Sequence, residues 1–154
     1  MAIGRYVSDL EPGDKLGPVD YVMTPFIVHE YAHGVELNHE AFHGGAPQGH
    51  FAPPTLVHTD KLRLFAATCP GGDGPHARLH YEYDATWHAP IPAGTRIRTS
   101  GVVAERIEKK GRTYIRLEIE LRGADDGTLY VTYRDTALLA YRAGTSFEVA
   151  GTRR

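Results

Sequence analysis

Histidine is the reactive residue type that this chain concentrates in one region. Six of its nine histidines lie between His29 and His58. An imidazole ring titrates near neutral pH, so it can take or give a proton, and it can also bind a metal. The density of rings predicts chemistry in this third of the chain, without deciding between proton transfer and metal binding.

A string typical of zinc proteases lies inside that region. His29-Glu30-Tyr31-Ala32-His33 matches H-E-x-x-H, and His39 stands where the longer motif has its third ligand. Two histidines four residues apart share a helix face, and the adjacent glutamate can activate zinc-bound water. We still predict no protease, because Glu36 replaces the glycine of the longer motif and both methionines lie upstream. A metal site of another kind, built from His29, His33 and Glu36, stays open.

Composition and charge exclude several classes of protein. The 154 residues are 42% hydrophobic and 23% charged, and a net charge of −2 gives no basic surface for nucleic acid. No apolar run approaches the roughly 20 residues of a membrane span, and the first residues do not resemble a signal peptide. We therefore expect a cytoplasmic protein with neither membrane nor nucleic-acid partners. Cys69 is the single cysteine, which excludes an intrachain disulfide and a thiolate metal cluster.

The C-terminal half has the pattern of β-strands. Apolar and charged residues alternate over 112–122 (RTYIRLEIELR), which predicts a strand with one buried face. Three more strands are predicted over 77–87, 95–107 and 129–141. The sequences at 109–111 (KKG) and 124–127 (ADDG) are typical of tight turns. Together they predict an antiparallel meander.

Two helices and a short strand are predicted before the meander. The strand covers 16–23, and Thr24-Pro25 then supplies the N-cap and first-position proline of a helix. Pro53-Pro54 precedes a second helix over 55–68. One sheet curled round one helix buries the apolar faces of both. We therefore predict an α+β fold, with an antiparallel sheet wrapped around a long central helix.

These elements form one predicted domain over 1–154, with its core at about 10–141 and a tail over 143–154. We find no interdomain linker. An open sheet leaves unpaired edges, and such an edge commonly pairs with a second copy of the chain. We therefore expect a homodimer.

Several stretches, in the same order along the chain, resemble the MaoC-like hydratases and dehydratases. The run at 49–56 (GHFAPPTL) is similar to the loop that leads into the family's central helix. The other similar stretches are 11–17 (EPGDKLG), 31–32 (YA), 38–39 (NH), 89–95 (APIPAGT), 108–114 (EKKGRTY) and 136–139 (TALL). The resemblance covers about 10–141 and implies a hotdog fold.

The resemblance also implies a reaction. Members of the family add or remove water across a carbon–carbon double bond beside a thioester. An aspartate and a histidine, in a D-x-N-P-x-H motif, transfer protons and position the water. A backbone N–H near the start of the central helix holds the thioester oxygen. No cofactor is implied, since the substrate itself carries coenzyme A or phosphopantetheine, whose arm runs between subunits.

The chain departs from the family at the aspartate, because none lies between Val22 and Thr59. On the resemblance, His39 or His43 moves the proton, and Glu36 or Asn38 handles water. The N–H groups around 49–52 hold the thioester oxygen, where the positive end of the helix favours developing negative charge. The predicted substrate-binding residues are Gly49, His50, Phe51, Ala52 and Pro53.

Other interpretations stay open. The altered pocket could serve a free small molecule, by elimination, cyclisation or isomerisation, or the chain could be the non-catalytic subunit of a heterodimer. Thioester hydrolysis, with Glu36 activating water, is a further alternative. Histidines outside the loop are predicted to be mainly structural: His58, with Asp60 and Arg63, on the central helix, and His80, with Tyr83, in sheet packing or a pocket wall.

Overall fold

A computed structural model describes residues 5–43, 50–72 and 79–140 of the chain. Gly49 and the predicted tail over 143–154 lie outside the described residues. A single-turn 3₁₀ helix, Val7–Asp9, precedes the main elements. These are β1 (Lys15–Val22), α1 (Pro25–Gly34), α2 (Glu40–His43), α3 (Asp60–Thr68), β2 (Leu79–Trp87), β3 (Arg96–Lys109), β4 (Arg112–Gly123) and β5 (Leu129–Ala140).

The strands form one antiparallel sheet in the order β1-β3-β4-β5-β2. The predicted turn between β3 and β4 is confirmed, because Lys110 and Gly111 have the positive φ angles of a tight hairpin, 52° and 71°. The predicted buried face of β4 is confirmed as well: Ile115, Leu117 and Leu121 are fully buried. Alternation along the strand therefore decides which face of the sheet meets the core.

The central helix packs on that face and has two parts. The chain first makes a 3₁₀ turn over Leu56–Thr59 and then becomes α-helical as α3. In the turn, the Leu56 N–H donates to Pro53 O and the Thr59 hydroxyl donates to Leu56 O, three residues back in both cases. The predicted helix over 55–68 therefore exists, but its first turn is tighter than an α-helix.

Two glycines allow the central helix to lie close to the sheet. A Cβ atom on Gly17 would stand 2.6 Å from Leu64 Cδ2, and one on Gly101 would stand 3.5 Å from Leu64 Cδ1. At the C-terminal end of α3, the Thr68 hydroxyl accepts a hydrogen bond from the Gly17 N–H. Leu64 is completely buried as a result. The sheet and helix together confirm the predicted α+β hotdog architecture.

The segment between β1 and the central helix lies over the start of that helix. Thr24 caps α1 through its hydroxyl, which accepts from the Ile27 N–H, as predicted. The Phe51 N–H donates to Ala41 O at 2.8 Å, and Tyr31 and Thr55 share a hydroxyl–hydroxyl hydrogen bond of 2.7 Å. These contacts hold α1 and α2 against the first turn of the central helix. None of the helices in the described residues is long and apolar enough to cross a membrane.

Candidate functional site

His43 has a hydrogen bond that decides which of its nitrogens can take a proton. Its Nε2 atom lies 2.6 Å from Leu37 O, and its ring meets the His29 ring edge-on, with centroids 5.0 Å apart. A carbonyl oxygen only accepts, so Nε2 carries the proton in the neutral ring. Nδ1 is then the basic nitrogen. This is the geometry of an oriented general base.

The other residues predicted to be catalytic lie at the surface. Glu36, Asn38 and His39 are exposed, and Glu36 has a positive φ of 58° just after α1 ends. His39 Nδ1 accepts a hydrogen bond from the Ala41 N–H, so this ring serves the start of α2. Within the described residues, no hydrogen bond or ring contact joins His39 to His43. The roles of all four residues remain predictions.

Two of the N–H groups predicted to hold the thioester oxygen already form hydrogen bonds within the fold. The Phe51 N–H donates to Ala41 O, and the Ala52 N–H donates to Ile91 O at 2.9 Å. Neither N–H is therefore available to a thioester oxygen in this structure, which corrects that part of the prediction. Pro53 has no N–H to offer. The His50 carbonyl oxygen accepts a hydrogen bond from the Ala93 N–H.

Phe51 and Ala52 instead contribute side chains to a cleft of about 420 Å³. The lining is mostly apolar and comes from α2, from the segment before the central helix and from the end of β2: Ala41, Phe42, Phe51, Ala52, Pro54, Trp87, His88, Ala89 and Pro90. A cleft of this size and character suits an acyl chain. The predicted binding role of the segment thus depends on its side chains.

The metal site left open at the protease-like string does not form in the described residues. Helix α1 ends at Gly34, so Glu36 does not continue the helix face of His29 and His33, and both histidines are exposed. Across the described parts of the chain, the group of three side chains spaced to share a metal ion is His58, His80 and Asp135. The potential ligand atoms of these three lie within 4.8 Å of one another.

Those three residues and Lys61 form what we call the core polar cluster, beneath the start of the central helix. The Lys61 ammonium lies 2.9 Å from each carboxylate oxygen of Asp135 and 2.9 Å from His80 Nδ1. His58 Nε2 lies 3.2 Å from the same His80 nitrogen. Asp135 is fully buried and Lys61 is 5% exposed, whereas the side chains of His58 and His80 are 35% and 41% exposed. The cluster therefore leads from a buried ion pair to the surface.

Two aromatic and electrostatic features adjoin the cluster. The Tyr83 ring meets the His58 ring edge-on at 5.0 Å, and burial raises the pKa of Tyr83 to about 12. The Tyr83 hydroxyl is buried and has no hydrogen-bond partner among the described residues. Burial, with smaller contributions from Lys61 and His80, lowers the pKa of His58 below its ordinary value. These surroundings favour the neutral form of the His58 ring.

Asp60, at the start of α3, is a second buried carboxyl. The Tyr21 hydroxyl donates to its two oxygens at 3.0 and 2.8 Å, and Arg63 lies 3.4 Å away and also stacks over the Tyr21 ring. Burial raises the pKa of Asp60 to about 6. The contacts join α3 to β1, in keeping with the structural role predicted for this residue.

The sequence contained a signal for the core polar cluster. Val131, Tyr133 and Ala137 define the buried face of β5, and Asp135 falls on the same face by period-2 spacing. A charged residue at a core position demands a buried partner. Lys61 lies three residues before Leu64 on the buried side of α3 and supplies that partner.

Comparison with known proteins agrees with the fold. No protein-family model and no curated protein sequence matches the chain. Among solved structures, the chain is similar to the 3R-hydroxyacyl-ACP dehydratase HadBC complex from Mycobacterium tuberculosis, with TM-score 0.72 and 17% identity, over 82% of this chain and 96% of that one. It is also similar to the (R)-hydratase from A. caviae involved in PHA biosynthesis, with TM-score 0.67 and 17% identity, over 85% and 98%.

A third similar structure is a MaoC-like dehydratase from Rhodospirillum rubrum, with TM-score 0.66 and 14% identity, over 92% of this chain and 100% of that one. Identities this low establish a shared fold. The chain therefore has the hotdog fold of the MaoC-like dehydratases and (R)-hydratases, which is the fold that its sequence motifs implied.

Proposed function

We propose that this chain is a hydro-lyase that adds or removes water at a β-hydroxyacyl or enoyl thioester. The observation that carries the proposal is the oriented His43 ring. It belongs to a segment that is fastened over the start of the central helix and that lines an apolar cleft. The solved structures of similar fold include hydratases and dehydratases.

The chemistry gives His43 a defined role. In hydration, its Nδ1 takes a proton from water as the water oxygen attacks the β-carbon. In dehydration, the protonated ring gives that proton to the leaving hydroxyl group. Coenzyme A or a phosphopantetheine arm carries the acyl group, and the reaction needs no redox cofactor. A second group must exchange the proton at the α-carbon, and the family aspartate that would assist is absent from this segment.

We expect His43→Ala to lower kcat for hydration of crotonyl-coenzyme A by about 100- to 10,000-fold, which is the range for loss of a general acid–base group. His33→Ala is the matched control, since it removes an exposed ring from α1 that has no predicted catalytic role. The measurement is the loss of enoyl absorbance, with crotonyl and longer enoyl thioesters. If the wild-type protein turned over none of them, the hydro-lyase proposal would fail. Equal activity in His43→Ala and the wild type would exclude His43 as the acid–base group and leave the hydro-lyase proposal standing.

We also propose that the chain forms a homodimer through the free edge of β2. This strand pairs only with β5 in the described sheet, and Leu79 and Tyr81 on it are 42% and 60% exposed. An exposed strand edge with apolar side chains tends to pair with another strand. The HadBC dehydratase, whose structure shares this fold, is itself a complex.

We expect sedimentation equilibrium to give twice the chain mass of 17.0 kDa. Tyr81→Lys should shift the protein toward monomer, because a charge on an edge strand opposes pairing. Tyr130 on β5 is buried, so Tyr130→Lys cannot serve as the control. Glu82 is exposed on β2 next to Tyr81, and Glu82→Lys is the control instead. A monomeric wild-type protein at micromolar concentration would contradict the homodimer.

A further inference from the structure

A pocket of about 420 Å³ lies at the hairpin between β3 and β4 and shares no lining residue with the apolar cleft. We call it the hairpin pocket, and it is lined by three cations and two aromatic rings: Tyr81, Lys109, Lys110, Arg112 and Tyr114. None of these described residues carries a carboxylate. Small-molecule sites have volumes of roughly 300–1,000 Å³. The hairpin pocket therefore has the size and the charge for an anionic small molecule.

The tight hairpin brings two of the cations together. Lys109 and Arg112 lie directly opposite each other on β3 and β4, and Lys110 stands in the turn between them. Like charges at directly opposite positions destabilise a hairpin. Within the described residues, no ion pair or side-chain hydrogen bond of these three cations offsets the repulsion. A bound anion would therefore relieve an electrostatic cost that the fold leaves in place.

The lack of a partner distinguishes Arg112 from the other arginines. In the described parts of the chain, every other arginine forms an ion pair with a carboxylate. The carboxylate nearest to Lys109 in the sequence belongs to Glu108, and it accepts from the Thr113 hydroxyl at 2.9 Å. Glu108 and Thr113 are the next opposed pair along the hairpin, so the pleat directs them to the other face of the sheet. The hairpin pocket thus keeps its full positive charge.

The two tyrosines form an aromatic wall beside these cations. The rings of Tyr81 on β2 and Tyr114 on β4 meet with centroids 5.0 Å apart, although β5 lies between their strands. Both rings therefore lean across β5, and Tyr81 leans away from the free edge of β2. Tyr114 is 8% exposed and Tyr81 is 60% exposed. The buried ring supports the exposed one, which presents a flat aromatic surface to the pocket.

We propose that the hairpin pocket binds a nucleoside diphosphate. The phosphate oxygens accept hydrogen bonds from Lys109, Lys110 and Arg112, and the base stacks on Tyr81. A guanidinium group matches the oxygens of a phosphate with two parallel donors, and a lysine adds a point charge. A single phosphate carries a charge of about −1.5 to −2, so three cations suit a diphosphate better. Every base has a π-face that can stack on a tyrosine, so the site does not select one base.

This proposal does not rest on the hydro-lyase function, because binding is measured without turnover. Isothermal titration calorimetry of the full chain with ADP is the first test. We expect a Kd below about 1 mM for ADP. Pyrophosphate and adenosine should bind at least tenfold more weakly, since each has only part of the recognised structure. ADP that did not bind at millimolar concentration, or adenosine that bound as tightly as ADP, would overturn the proposal.

The cations are tested by Arg112→Gln, at an exposed position. Loss of a hydrogen bond to a charged group should weaken ADP binding by about 10- to 100-fold. Lys15→Gln is the matched control, because Lys15 is also exposed but is paired with Val102, roughly 20 Å along β3 from Lys109. It should change the Kd by less than about twofold. Equal losses in Arg112→Gln and Lys15→Gln would show attraction by overall charge and would overturn the site.

The aromatic wall is tested by Tyr81→Leu, which removes the ring and keeps an apolar side chain on β2. We expect ADP to bind about 5- to 100-fold more weakly, the loss for one stacked base. Binding of pyrophosphate should not change, since it has no base. Tyr81→Phe keeps the ring and should bind ADP as the wild type does. Unchanged ADP binding in Tyr81→Leu would contradict the stacking role.

Two further probes identify the source of the ligand. Coenzyme A contains the same diphosphate joined to a nucleoside, so we expect it to bind as well as ADP. Competitive inhibition of crotonyl-coenzyme A hydration by ADP would assign the pocket to the substrate carrier. Turnover that bound ADP leaves unchanged would assign it to a free nucleotide, and both results keep the proposal. A polyglutamate peptide that bound more tightly than ADP would overturn it in favour of an acidic protein.

Discussion

Lys61→Met is expected to lower the free energy of unfolding by about 3–5 kcal/mol, the cost of leaving one member of a buried ion pair without its partner. Asp135 is fully buried, and both of its oxygens lie 2.9 Å from the Lys61 ammonium. Methionine fills a similar volume but provides no donor, so the carboxylate must stay charged in the core or take up a proton. Chemical denaturation monitored by circular dichroism measures the loss.

The double variant Lys61→Met/Asp135→Leu distinguishes loss of a partner from loss of packing. Replacing a whole buried ion pair with apolar side chains is often neutral or stabilising, so most of the stability should return. Lys109→Met, at an exposed position, should change the free energy of unfolding by less than about 0.5 kcal/mol. A Lys61→Met protein as stable as the wild type would show that the ion pair does not stabilise the core.

The position of the Lys61–Asp135 pair gives a reason for charged residues in the core. An apolar pair at these positions is expected to retain most of the stability, so stability alone does not account for Lys61 and Asp135. Their position does, since the ammonium reaches His80 and, through it, the partly exposed His58. A buried ion pair that leads to a partly exposed ring marks the core polar cluster as a candidate functional site.

Most of the fold was predictable from the sequence because it follows local rules. Alternation located β4 and β5, the turn at 109–111 joined the predicted strands, and Thr24-Pro25 marked the start of α1. The split of the central helix into 3₁₀ and α parts was not predicted. It depends on i to i−3 hydrogen bonds after Pro53, which the apolar pattern does not encode.

The site was harder to predict because its residues are far apart in the sequence. The histidine-rich segment suggested chemistry there, yet the structure exposes His39 and joins His43 to Leu37 and His29. The core polar cluster draws on a helix and two strands, and its hydrogen bond from Lys61 to Asp135 spans 74 positions. Only the charge at Asp135, on an otherwise apolar strand face, signalled it in advance.

The second large predicted effect is a pH dependence of the free energy of unfolding that arises from Asp60. Its direction is opposite to the one that most carboxyl groups cause. Burial raises the pKa of Asp60 to about 6 from a reference value of 3.8. The folded state therefore binds a proton more tightly than the unfolded state does. Stability from this group is present below about pH 4 and is lost as pH rises to about 6. The charged carboxylate then costs about 3 kcal/mol, at about 1.4 kcal/mol per pKa unit.

Asp60→Asn is expected to remove this dependence, because the amide stays neutral and can still accept from the Tyr21 hydroxyl. The free energy of unfolding of the variant, relative to the wild type, should therefore rise by about 3 kcal/mol between pH 4 and pH 7. Asp125→Asn, whose carboxyl is 75% exposed, controls for the loss of one negative charge and should show little of this slope. Urea denaturation at unit pH intervals measures all three proteins. A wild-type protein that gained stability relative to Asp60→Asn over the same range would mean that Tyr21 and Arg63 outweigh burial and hold Asp60 ionised.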